Sequence, residues 1–413
     1  MKAFRRLARE DADEFFLSLS AREQAELILM LPERERRIWI RLLAPDDAAD
    51  VVQQVPDELR PDLVDLLDHT TRRDVRALLA YAEDEAGGLM SPRFARVRPD
   101  MTSDEALRYL RQQSAQVETI YYAYVLDAEQ RLLGVVSFRE LFAADPDKPI
   151  SDVMRTDFVY AMEEMDQEEV ANLFAEYALL AIPVVDAERR MKGIVTIDDI
   201  VEVVEEEASE DIQKIGGMEA LDAPYLDVGF WQMVKKRGGW LAILFFGEMF
   251  TATAMAFYEE EIARTVVLAL FIPLIISSGG NSGSQAATLV IRAMAIGEVR
   301  LRDWWRVVRR EIRTGAVLGA LLGLIGLTRI LVWQTVARTY GDHYLALGLT
   351  IAFSLVGVVL FGTIAGSMLP FILRRCGLDP ASASAPFVAT LVDVTGLVIY
   401  FSIAAMFLSG TLL

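Results

Sequence analysis

The sequence predicts a multidomain protein: an α-helical N-terminal domain, an α/β domain of two repeats, a connecting acidic helix, and an all-α membrane domain of five helices. Three observations predict it. First, YVLDAEQRLLGVVSFREL (124–141) aligns without gaps with PVVDAERRMKGIVTIDDI (183–200), at an offset of 59. Second, five apolar segments of spanning length follow residue 237, roughly 239–257, 266–291, 316–337, 346–373 and 384–408. Third, the net charge of −19 is unevenly placed: residues 231–413 hold ten acids and fifteen bases, which leaves 50 acids and 26 bases in 1–230. The expected domains are 1–90, 91–208, a connector at 209–236, and 237–413.

The charge pattern argues against a nucleic-acid partner, because no strongly basic surface is on offer. An acidic half of −24 repels itself unless cations screen it. Cys376 is the only cysteine, which excludes an intrachain disulfide and suits a reducing compartment. MKAFRRLARE lacks the apolar run of a cleavable signal peptide.

Residues 1–90 read as short helices punctuated by prolines at 32, 45, 56 and 61. Ala21–Leu31 and Ile38–Leu43 are amphipathic, and Asp46-Asp47 and Pro56-Asp57 look like caps opening new helices. The tail of this domain, AEDEAGGLM (82–90), places Glu83, Asp84 and Glu85 before Gly87-Gly88 and reads as a solvated acidic loop.

In 91–208 each repeat reads strand, turn at Asp-Ala-Glu, Gly, strand, helix start, with a helix upstream at Ser103–Gln112 or Gln167–Tyr177. The outline is β-α-β-β-α, twice. The connector then carries eight acids between Asp198 and Asp211. Asp199, Glu202, Glu206 and Glu210 fall three, four and four apart, along one side of a helix. Like charges at that spacing cost a helix a few tenths of a kcal/mol each, roughly. Such a helix either awaits a cation or is a solvated face. Gly216-Gly217 ends it, and an amphipathic piece, Val228–Lys236, leads to the membrane.

The second apolar segment contains FIPLIISSGGNSGSQAATLVIR (271–292), too polar at its centre to face lipid. It is a helix-packing seam or the wall of a permeation path; Asn281 and Gln285, four apart, favour the path. Three ionisable residues lie within spans: Glu248, Arg329 and Asp393. Each costs about 2.5–3.5 kcal/mol at the bilayer centre, so each needs a reason. Arg329 is expected to snorkel outward. Asp393 lies in PFVATLVDVTGLVIYF with Ala389 one turn earlier, and Pro386 is expected to free a carbonyl nearby. Carboxylate and carbonyl oxygens suit a hard cation, and no His or Cys is near to suit a soft one. Clusters at Lys235–Arg237, Arg300–Arg313 and Arg374-Arg375 alternate with Glu259–Glu261 and Asp342. That alternation puts the N-terminus in the cytoplasm and the C-terminus outside a cytoplasmic (inner) membrane.

The repeat resembles a tandem pair of cystathionine-β-synthase (CBS) domains. The whole order, with EDEAGGLM, IDDIVEVVEEEASEDIQKIGG, PLIISSGGNSGSQAATLVIRAMA and PFVATLVDVTGLVIYF, resembles the MgtE family of magnesium channels. The resemblance implies a homodimer in the bilayer, with a pore lined by the second and fifth spans. It implies a hydrated magnesium ion at Asp393, the Ala389 carbonyl beside it and Asn281 near the pore wall. It also implies a magnesium sensor built from Asp166, Glu168, Asp199, Glu202, Glu207, Glu210 and Asp211, with Ala178 where some members carry an acid. CBS pairs of this kind can hold adenine nucleotide, here ATP at Thr196, Asp198 and Asp199. The expected function is import of magnesium down its gradient, gated by cytoplasmic magnesium, with no enzymatic activity. Transport of cobalt or manganese and a membrane-anchored CBS sensor without transport are the competing readings.

Overall fold

A computed structural model describes Phe4 and residues 8–114 and 116–408. The chain divides into two compact units, Met1–Glu205 and Glu206–Leu413.

The first unit opens with α1 (Arg9–Leu17), α2 (Ala21–Met30), α3 (Glu33–Ile40), α4 (Pro45–Gln53), α5 (Arg60–Leu66), α6 (His69–Leu78) and α7 (Ala86–Leu89). Ser20 closes a capping box with Glu23 ahead of α2, and Asp68 caps α6 through Thr70 and Thr71. Asp46 and Asp47 are not caps: Pro45 starts α4 and both acids sit in its first turn. Pro56-Asp57 likewise precedes a turn, and α5 begins only at Arg60.

The repeats follow as β1 (Arg96–Val97), α8 (Ser103–Gln113), β2 (Tyr122–Leu126), β3 (Leu132–Ser137) and α9 (Phe138–Ala143), then β4 (Ala161–Met162), α10 (Gln167–Tyr177), β5 (Ala181–Val185), β6 (Met191–Thr196) and α11 (Ile197–Ile215). The sheets have the same topology, β1-β2-β3 and β4-β5-β6, the first pair parallel and the second antiparallel. Equivalence extends to the turns. Asp127 accepts from the amides of Glu129 and Arg131, and Asp186 from those of Glu188 and Arg190. Gln130 and Arg189, 59 apart, both take positive φ there. Tyr124, Leu126, Leu132, Val185, Met191 and Ile194 join the two repeats in one apolar cluster. The N-terminal helices share a core with the second repeat, through residues such as Ile28, Val52, Val75, Val170, Phe174 and Ile182.

The second unit holds five helices long and apolar enough to cross a membrane: α12 (Phe230–Phe257), the segment Val266–Ala295, the segment Leu301–Ala337, α17 (Tyr344–Arg375) and α18 (Ala385–Leu408). Before the second comes α13 (Glu259–Arg264); it begins with α14 (Val266–Ala269), and its body is α15 (Ile272–Ala295). The third is built on α16 (Trp304–Ala337). The stretch expected to lead to the membrane is no separate helix: from Phe230 it is the first turns of α12. Glycines set the packing. A Cβ on Gly366 would fall 2.1 Å from the Gly283 carbonyl oxygen, and one on Gly362 2.3 Å from that of Gly279. Two Gly-x-x-x-Gly stripes thus let α15 and α17 touch backbone to backbone.

Candidate ion path and acidic surfaces

The polar stretch of α15 is helical throughout, and it divides by face. Gly279, Ser282 and Gly283 are buried, the glycines against α17. Gly280 is buried against α18, where a Cβ would lie 3.5 Å from the Ala389 Cα. Ser277, Asn281, Gln285 and Thr288 point out of the bundle and are exposed. The stretch is therefore a packing seam on one face and carries an exposed polar stripe on the other. Asn281 touches Ser277 at 3.5 Å. Exposed amides and hydroxyls at this depth need water or another protein surface.

Helix α18 carries Ala389 and Asp393 without interruption. Pro386 does not loosen it. It lies in the first turn, where the helix has no bond to lose, and its own carbonyl accepts from the Thr390 hydroxyl at 3.1 Å. Any oxygen Ala389 offers is thus a second lone pair of a helical carbonyl. Asp393 is half-buried. Its carboxyl lies close to that of Glu248 on α12. Gly247 permits the approach, since a Cβ there would meet the Thr390 Cγ2 at 2.7 Å. Sequence reasoning singled out both carboxylates but not their pairing, which depends on which face of α12 meets α18. Arg329 is elsewhere: its guanidinium lies over the Phe271 ring, 5.8 Å from the centroid.

In the first unit, Asp199 forms the centre of an acidic group the sequence did not foresee. Its Oδ2 accepts from the Thr196 amide and hydroxyl, at 3.1 and 2.7 Å, which orients it. Burial, then the charges of Asp198 and Glu118, push it up to about 7 despite those bonds. Burial of its carboxyl, then Asp47, Asp199, Glu202 and Glu83, push Asp50 up to about 7, although the residue as a whole is exposed. Asp46 is raised well above the usual carboxylate range, by burial and then Glu118, Asp47 and Asp199. The first turns of α4 and α11 thus confront each other with carboxylates. Only Asp199 and Glu202 of this group were expected as sensor residues; the first turn of α4 gave no signal beyond looking like a cap. Among the described residues, no three such side chains stand close enough to cage an ion unaided.

The other expected sensor residues lie apart. Asp166 caps α10, accepting from the Glu168 amide at 2.8 Å, and bridges to Glu85 of the acidic loop. Gln167 donates to the Asp84 carbonyl at 2.8 Å, so that loop is an edge rather than a solvated tail. Glu210 pairs with Lys214, which also reaches Asp379 before α18 at 2.6 Å. Burial, then Asp379 and Glu207, push Asp211 up to about 6. Asp199 and Asp211 are twelve residues apart, about 18 Å along the helix, and they belong to different surroundings. Ala178 ends α10 in the left-handed region, at φ 50°.

A cavity of about 480 Å³ opens between the repeats, lined by Tyr121, Ile120, Leu180, Thr119, Thr196 and Asp198 among others. Thr196 and Asp198 are thus brought together, while Asp199 is turned away into the acidic group. No cationic side chain lines the cavity.

An acidic helical domain, a CBS-like pair and five apolar helices with a polar stripe and a carboxylate between them define a class, the divalent-cation transporters that carry a CBS pair. Comparison with known proteins agrees. "MgtE intracellular N domain" matches residues 1–84, "CBS domain" matches 86–147 and 150–206, and "Divalent cation transporter" matches 272–403. The chain is 43% identical over 407 residues to the magnesium transporter MgtE of Thermus thermophilus, covering 98% of this chain and 88% of that one. It is 32% identical over 433 residues to MgtE of Enterococcus faecalis, covering 96% and 93%. A crystal structure of the cytosolic domain of the Mg2+ channel MgtE in complex with ATP matches with 45% identity and a TM-score of 0.47, covering 49% of this chain and 83% of that one. The chain belongs to the MgtE family of magnesium transporters. That is a family of membrane transporters, not of enzymes.

Proposed function

We propose that this chain imports magnesium down its electrochemical gradient, through a path lined by α15 and α18 of two copies. The observation that carries the reading is Asp393. It is a carboxylate at membrane depth whose close neighbour, Glu248, is another acid. Two acids in contact favour a cation between or beside them. Asp393 would hold the hydrated ion, with a lone pair of the Ala389 carbonyl beside it. Asn281, on the exposed polar stripe, would turn its amide toward the ion's water shell. Magnesium sheds water reluctantly, so oxygen groups that accept from bound water select it better than a tight dry cage. A negative-inside potential supplies about 2.3 kcal/mol per charge per 100 mV, and roughly twice that for a divalent ion.

Cytoplasmic magnesium would regulate through the acidic groups. The donors are all carboxylate oxygens, which fit a hard cation. Asp46 and Asp50 of α4 face Asp199 of α11 and Asp47 faces Asp198, and these groups repel once ionised unless neutralised. Asp166 and Glu168 at the start of α10, and Glu202, Glu207, Glu210 and Asp211 along α11, would be further carboxylate donors. A bound ion supplies charge neutralisation there. Carboxylates so neutralised hold the N-terminal helices and the second repeat together, and repulsion loosens them. This is a population shift set by differential affinity for the compact state. The cavity between the repeats suits the nucleoside part of ATP, with Asp198 on the ribose hydroxyls, Thr196 beside it and Asp199 held back as a positioning group.

The test is growth of a host lacking magnesium transport, in low-magnesium medium, with this chain and with Asp393→Ala. Rescue by the first and not the second supports the reading. Equal rescue by both places the path elsewhere.

A further inference from the structure

The transport reading leaves one charged surface unused, at the start of α16. Residues 298–313 carry six arginines against Glu298, Asp303 and Glu311, a net +3. Arg302, Arg306, Arg309 and Arg313 fall four, three and four apart, on one face, and all four are exposed. Arg310 flanks them, also exposed, beside Glu311. Among the described residues the one ion pair of the group is Arg306 with Asp303, at 3.5 Å. Trp305 lies on the same face and is about half exposed, with the Arg309 guanidinium 5.2 Å from its ring.

Helix geometry places this face. From Gly315 to Ala337 the helix is apolar except for Thr328, Arg329, Gln334 and Thr335, and these 23 residues alone rise about 35 Å, enough for a hydrocarbon core of about 30 Å. The ten residues of α16 before it rise about 15 Å, through a headgroup layer of about 5–8 Å, so Arg310 and Arg313 lie at headgroup level and Arg306 and Arg309 just outside it, where long side chains reach back to the phosphates. The guanidinium fork matches a phosphodiester with two parallel hydrogen bonds.

We infer that the first three turns of α16 form a docking surface for the headgroups of anionic phospholipid. The inference rests on α16 spanning a bilayer and not on which side the N-terminus lies. Guanidiniums on successive turns have stems long enough to converge on that one layer of phosphates. The zwitterionic headgroup offers the same phosphate but cancels its charge, so the surface prefers a lipid with net negative charge.

The test uses the full chain in detergent. Native mass spectrometry with equal phosphatidylglycerol and phosphatidylcholine should show preferential retention of the former. The triple variant Arg306→Gln, Arg309→Gln, Arg310→Gln should lose that preference by about tenfold. Arg374→Gln with Arg375→Gln removes charge at another helix end and should leave most of it. Equal loss in both variants, or none in the first, overturns the inference. A measurement on the unmodified protein stands beside this. Phosphatidylglycerol should raise its unfolding temperature, phosphatidylcholine should not, and the rise should shrink as salt is added. No rise overturns the inference as well. Flotation with neutral vesicles tests the spanning helix separately: a chain that does not float removes the reading on which the inference rests.

Discussion

Asp393 and Glu248 stand close together, and each changes what the other is worth. Alone, Asp393 is a charge at membrane depth costing about 2.5–3.5 kcal/mol. Beside a second acid the cost rises unless a cation or a proton intervenes. Asp393→Asn keeps size and one oxygen but removes the charge. Magnesium uptake into proteoliposomes should fall by at least about tenfold, a loss of roughly 1.4 kcal/mol in ion stabilisation. Monovalent ions should compete better, and the fold should survive because burial is eased. A folded Asp393→Asn protein with normal uptake would make the carboxylate structural. Glu248→Gln keeps a donor and acceptor facing Asp393 and leaves one acid. Uptake should persist but weaken several-fold, with more effect on divalent than on monovalent passage. If the two substitutions affect uptake and its ion preference identically, Glu248 is a ligand of the same rank as Asp393 and not a supporting group.

Among the elements, α15 shows how one helix serves two ends. Its buried glycines meet Gly362 and Gly366, while Ser277, Asn281 and Gln285 keep the opposite face polar. Gly366→Leu drives a side chain into the Gly283 carbonyl, and overpacking of this kind costs about 1–3 kcal/mol or moves the helix. The detergent-solubilised protein should unfold at lower temperature and lose uptake, although nothing on the polar stripe has changed. Retained stability would mean that α15 and α17 separate more easily than their backbones suggest. The same helix shows what sequence could and could not carry. Gly-x-x-x-Gly spacing and the Asn281–Gln285 interval were legible because they depend on helical period alone. That Pro386 opens α18 instead of loosening it required knowing the helix start. The facing of α4 by Asp199 was not legible at all, because it joins residues about 150 apart in sequence by tertiary packing, and an Asp in a helix's first turn has an ordinary local explanation. The β-α-β-β-α repeats came through whole, since a duplication is visible without knowing its fold.

The molecule as a whole couples an acidic first unit to five apolar helices through a chain with no break in α11, which starts beside Asp199 and ends at the Lys214 ion pairs. Asp50 and Asp199, both pushed up to about 7, make the acidic group sensitive to protons as well as metal. Carboxyls with raised values hold protons in the folded state that the unfolded chain has released. Without divalent ions, the stability of the first unit should therefore fall as pH rises from about 4 to about 7. Magnesium needs the deprotonated form, so its effect should appear above about 7 and fade below it, where protons occupy the same oxygens. Limited proteolysis of the full chain, followed by cleavage within 205–230, reads this out. Above neutral pH, cleavage should slow as magnesium rises through roughly millimolar levels. At about pH 5.5 cleavage should already be slow and magnesium should add little. The triple variant Asp46→Asn, Asp50→Asn, Asp199→Asn should be indifferent to both. Equal cleavage of the unmodified protein at every magnesium level would leave the acidic group a solvated surface, and regulation by cytoplasmic magnesium would have to act elsewhere.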